Sequence, residues 1–145
     1  LDQLVVEKGS YDLLELLDDW AWRVDTSFSP LLPTALGNLF LERDDGSIWF
    51  LDTWSGDLHA VCDSYEAFRF GVSQDRDFVR TWFLSDLVSA LVDAGLQREP
   101  DQCFSPFVSP GVGGSLEPEN FSATTLRAHL AMTAAECRAI KEQNA

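Results

Sequence analysis

The sequence is short of positive charge, histidine and cysteine, and it contains no long apolar run. Only 10 lysines and arginines stand against 24 aspartates and glutamates, a net charge of −14. Nucleic acids and anionic membranes are gripped by Lys and Arg, so this balance argues against binding to either. No stretch approaches the roughly 20 apolar residues of a membrane span. Leu1 to Lys8 lacks the basic start and long apolar segment of a signal peptide. Cys62, Cys103 and Cys137 lie far apart with no Cys-x-x-Cys pair. An odd number of thiols without a disulfide framework fits a reducing compartment, and the expected location is the cytoplasm.

What is present is apolar and aromatic. Of 145 residues 46% are hydrophobic and 12% aromatic, with five Trp and ten Phe, enough for a packed core in one domain spanning residues 1–145. Three apolar runs, Leu39–Leu41, Ile48–Leu51 and Leu58–Val61, are separated by Asp44-Asp45-Gly46 and Ser55-Gly56-Asp57. Asp-Gly between β-formers signals a hairpin, here read as a type I′ turn with φ > 0 at both central residues. The second turn repeats that logic less strictly, and a three-stranded antiparallel meander follows. Ile48-Trp49-Phe50-Leu51 is apolar on both faces, so the middle strand requires helices packed on it.

Around this centre, Leu1–Gly9 fits a strand or an arm equally. Ser10 is a plausible N-cap for a helix to about Trp22, with Leu13, Leu14, Leu16, Leu17 and Trp20 as its stripe. Asp25–Pro33, with two prolines, reads as loop, and Ser64 caps a helical turn. Apolar residues from Phe78 to Ala94 predict one helix over 76–94, stopped by Gly95. Gln97–Glu119 is loop-rich, with a candidate strand at Cys103–Val108; Thr125–Met132 fits strand or helix, and Thr133–Gln143 is helical. The fold class is therefore α+β: a three- to four-stranded antiparallel meander packed by helices, in a single domain.

Catalytic and metal readings are weak. Residues three apart on a strand point to opposite faces, so His59 and Cys62 are not expected to chelate together, even with His129, Cys103 or Cys137 as further ligands. Nothing around Cys62 marks an activated thiolate. Asp44, Asp45 and Asp57 are what the turns require, while Asp52 sits inside a strand and is expected to bond neighbouring backbone or Thr53. Gly111-Val112-Gly113-Gly114 lacks the Lys and the strand-to-helix setting of a phosphate loop. No catalytic residue, metal or cofactor is assigned. Trp54, a turn aromatic among acids, has the composition of a protein-binding hot spot; folding back over the sheet is an equally good reading.

Gly37–Thr53, Ser64 and Phe68, the Trp82–Leu91 helix, Gln102-Cys103-Phe104, Pro110–Gly114 and Glu117-Pro118-Glu119-Asn120-Phe121 together carry a resemblance. From about Trp20 to Lys141 the chain resembles the C-terminal domain of bacterial immunity proteins that neutralise DNase effectors of the type VI secretion system. The strand–turn–strand layout is also similar to SUKH immunity domains. Long members of the first family carry an additional N-terminal GAD-like domain, for which 145 residues leave too little room. The resemblance implies an inhibitor and not an enzyme, whose partner is a cognate toxin effector, by preference a basic nuclease. Exposed acids beside an aromatic at turns make Asp44, Asp45, Trp54, Asp57, Glu117 and Glu119 the expected contact residues. The expected state is a monomer or weak homodimer. The alternative is a non-catalytic interaction module of the same fold with another basic partner.

Overall fold

A computed structural model of the chain describes residues 2–144. Strands β1 (Phe28–Pro33), β2 (Leu39–Arg43), β3 (Ile48–Asp52) and β4 (Asp57–Cys62) form one antiparallel sheet in that order. Strands β5 (Gln102–Pro106) and β6 (Phe121–Thr125) form a second, two-stranded one. Helices α1 (Tyr65–Gln74), α2 (Arg76–Phe83), α3 (Ser85–Asp93) and α4 (Leu126–Gln143) complete an α+β domain.

Alternation along β2 and β3 explains the layering. Leu39, Leu41 and Leu51 point to one side and join Trp20, Leu126, Leu130 and Ala134 in a cluster under α4. Phe40, Ile48 and Phe50 point to the other and meet Phe68 of α1 and Phe83 of α2. The central strands are thus covered on both faces, as their unbroken apolar runs require. A third cluster, built from Leu36, Val88, Leu91, Phe104 and Phe121, seats α3 on the small sheet.

Several local expectations are corrected. The stretch 25–33 is not all loop: Phe28–Pro33 is an edge strand, with a register shift between Pro30 and Leu32. Proline is tolerated there because an edge strand has one unpaired side. No continuous helix spans 10–22. Short 3-10 turns cover Leu13–Glu15 and Asp18–Trp20, while the Ser10 hydroxyl bonds the Glu7 and Pro100 carbonyls and so does not cap. Leu14, part of the supposed stripe, is 85% exposed. The expected helix over 76–94 breaks at Leu84, whose φ of 50° is left-handed. Phe78, Val79, Trp82 and Phe83 pack in the α1–α2 cluster, whereas Leu87, Val88 and Leu91 pack on the small sheet. One straight helix cannot face two cores, and the break resolves the conflict at roughly 1–2 kcal/mol of backbone strain.

The first hairpin turn also differs from type I′. Only Gly46 has positive φ, 89°, and its amide bonds the Arg43 carbonyl while the Arg43 amide bonds Ser47. That pattern is a type I turn closed by a left-handed glycine, which demands positive φ at one residue only.

Candidate partner-binding surface

The expected contact residues fall at two ends of the large sheet. Asp44 and Asp45 occupy the exposed β2–β3 tip, where Asp45 accepts hydrogen bonds from the Ser47 hydroxyl and amide that hold its carboxyl below the usual range. Trp54 and Asp57 lie at the β3–β4 turn, the far end of a five-residue strand, about 14 Å away. Glu117 and Glu119 are exposed on the loop between β5 and β6. That loop reaches the β3–β4 turn: the Ser109 hydroxyl donates to the Trp54 carbonyl at 3.1 Å, and a Cβ at Gly111 would overlap the same carbonyl. The fold therefore brings the Trp54 turn to the Glu117–Glu119 loop and leaves Asp44 and Asp45 apart.

Trp54 is half-buried. Its ring packs 6.2 Å from Phe121, and its indole nitrogen is enclosed without a partner. The ring also lines a shallow depression of about 400 Å³ together with Phe50, Asp52, His59, Trp82 and Leu84. Asp52 bonds backbone as expected, accepting from the Trp54 amide at 2.9 Å. The expected partner Thr53 instead joins a buried network.

That network was not legible in sequence, because Asn38, Thr53, Ser105 and His129 are scattered along the chain. His129 on α4 is wholly buried, with Nε2 3.0 Å from Thr53 Oγ1 and Nδ1 2.7 Å from Ser105 Oγ. The Thr53 hydroxyl donates to Asn38 Oδ1 at 2.8 Å, so Thr53 receives the Nε2 proton and Ser105 donates to Nδ1. The imidazole is neutral: burial lowers its pKa to about 4. A Cβ at Gly37, where φ is 81°, would overlap the His129 ring. This junction ties α4 and both sheets together. Ser105 and His129 resemble a nucleophile–base pair in composition, but both are buried, as a structural pair inside the fold would be.

The surroundings of all three thiols disfavour the thiolate form. Burial pushes Cys103 up to about 12 and Cys137 up to about 11, and raises Cys62 as well. His59 and Cys62, expected on opposite faces, share one, because the register shift between Ile48 and Trp49 places them opposite Phe50 and Ile48. Among the described residues no three His, Cys, Asp or Glu side chains are grouped to hold a metal ion. Nor, among the described residues, is any helix long and apolar enough to cross a membrane.

Electrostatics separates the two signs of charge. Arg80, Arg127 and Arg138 pair with carboxylates. Arg23 and Arg98 donate to backbone carbonyls, and Arg43, Arg69 and Lys141 lie over aromatic rings. Of the described carboxylates only Glu15, Asp77, Asp86 and Glu142 form ion pairs. The cations are largely taken up within the molecule, while most acids face water uncompensated.

A fold of this kind is found in the crystal structure of Atu4351 from Agrobacterium tumefaciens, with a TM-score of 0.59 at 13% identity. The likeness covers 86% of this chain and 64% of that one, and it is a likeness of fold. No curated protein matches the chain. The family described as T6SS immunity protein Tdi1, C-terminal, matches residues 63–135, just over half the sequence. The chain belongs to this family of type VI secretion immunity proteins, as the resemblance led one to expect. Of the motifs that carried it, Gln102–Phe104, Pro110–Gly114 and Glu117–Phe121 lie inside the match, and Gly37–Thr53 lies before it.

Proposed function

We propose that this chain is an immunity domain that neutralises a cognate secreted toxin, a nuclease, by occluding its active site in the bacterial cytoplasm. Membership of the type VI immunity family carries the reading. Charge supports it: a nuclease groove is basic so as to hold phosphates, and an uncompensated acidic surface is steered toward such a groove. The chain acts by binding, as a monomer or weak homodimer, and has no reaction of its own. Its contacts are Asp57, Glu117, Glu119 and the accessible edge of Trp54 at one end of the sheet, with Asp44 and Asp45 at the other. It protects the producing cell and its sisters during competition between bacteria.

The test is co-expression with the toxin encoded beside this chain's gene. Restored growth and co-purification of the two proteins are expected. Unchanged killing with no complex rejects the pairing and leaves an interaction module with a different basic partner.

A further inference from the structure

The connection between β5 and β6 is built in an unusual way. Within ten residues it exposes four large apolar side chains: Phe107 at 69%, Val112 at 59%, Leu116 at 55% and Val108 at 52%. A single exposed apolar side chain is ordinary, whereas several grouped along one short segment are the composition of a surface that takes a partner. This loop is firmly tied. Asn120 accepts from the Val108 amide at 2.9 Å, and its side-chain nitrogen donates to the Val108 and Ser115 carbonyls, each at 2.8 Å. Ser109 fixes the middle to Trp54, and the Gly111 amide bonds back to the Ser109 hydroxyl at 3.1 Å. Gly113 has a φ of 97°, and a Cβ at Gly114 would overlap the Val108 carbonyl. The backbone is therefore held in a conformation that keeps the apolar groups outside the core.

Charge indicates what covers them. No Lys or Arg occurs between Arg98 and Arg127, while Glu117 and Glu119 flank the exposed group. An apolar segment followed by acids and carrying no cation of its own matches a basic protein surface with an apolar depression.

We infer that the Phe107–Asn120 loop is a rigid anchor that docks onto a basic protein partner, with Phe107, Val108, Val112 and Leu116 as the buried centre and Asn120 as the positioning residue. This rests on the immunity reading, for which the partner is the toxin. Because the loop is ordered before contact, little ordering entropy opposes docking, so the anchors act mainly on the dissociation rate.

The experiment uses the full chain and a catalytically inactive form of the toxin encoded beside its gene, with binding followed by surface plasmon resonance. The Phe107→Ser, Val112→Ser double variant is compared with Leu14→Ser, Ile140→Ser, which alters exposed apolar residues elsewhere. All these side chains are exposed, and unchanged thermal melting confirms that both variants fold. The expected result is an affinity loss of about thirty-fold or more for the loop variant, mostly in the dissociation rate, with the control unchanged. Wild-type binding that both variants keep within about threefold overturns the anchor and leaves the immunity reading standing. Absence of wild-type binding overturns that reading and the anchor with it. Wild-type self-association abolished only by the loop variant overturns the stated partner, because a second copy is then the occupant.

Discussion

At the His129 junction, hydrogen bonds hold polar groups inside; at the β5–β6 loop they hold apolar groups outside. Asn38, Thr53, Ser105 and His129 satisfy one another where water cannot reach. Asn120 and Ser109 brace a loop whose Phe107 and Val112 face water. The first arrangement is explained by stability alone, since an unsatisfied buried donor or acceptor is expensive. The second gains nothing from folding by leaving apolar area wet, and the docking role proposed for the loop supplies a reason for it. Bonding density alone does not distinguish a stabilising site from a binding site. What the bonds hold in place does.

The comparison breaks most visibly at His129. His129→Ala removes a buried ring and strands two hydroxyls, and unfolding in denaturant should show a loss of about 4 kcal/mol. Toxin affinity of the folded fraction should be unchanged; a binding defect in protein shown to be folded would contradict the division of roles.

The next effect is on pH. The folded imidazole has a pKa of about 4 against an ordinary 6.5, so the unfolded chain binds the extra proton between those values. Its stabilisation is complete above pH 6.5 and is lost as pH falls toward 4, on the order of 3 kcal/mol in all. Denaturation curves across that window should show the decline in the wild type and a flatter profile in His129→Ala. Asp25 and Asp45, held low by bonds from Ser27 and Ser47, act at lower pH, below their ordinary value of 3.8.

Asn120→Ala sharpens the other half. Its bonds are solvent-exposed, so global stability should fall by only about 1 kcal/mol. Amide exchange should quicken within 107–116, and toxin binding should weaken by about tenfold. Equal exchange in that loop would show that Asn120 does not brace it. Smallest is the effect of rim charge. Asp57→Lys should slow association several-fold at low salt, more than Asp45→Lys does at the other end of the sheet. The reverse order would move the contact surface to the β2–β3 tip.

Much of the fold was legible because the decisive signals were local. Apolar runs punctuated by Gly46 and Gly56 gave the meander, and Ser64 and Gly95 marked helix ends by their own chemistry. What stayed hidden depended on tertiary partners. Pro30 and Pro33 obscured β1, acceptable only because that strand is an edge. Leu84 breaks a helix that periodicity joins, since two separate cores claim its halves. Leu13 and Leu14 matched a helical stripe with no surface to cover. For the binding surface, the sequence singled out turn acids and Trp54. It carried no sign that Phe107 and Val108, apolar and next to a buried strand, would face solvent.

The most direct measurement is growth of cells making the toxin encoded beside this chain's gene, with and without the chain. An acidic domain that works by covering another protein's cleft predicts rescued growth and a stable complex in which nuclease activity is silent. Cells that die alike in both cases, with toxin and chain eluting separately, would contradict it.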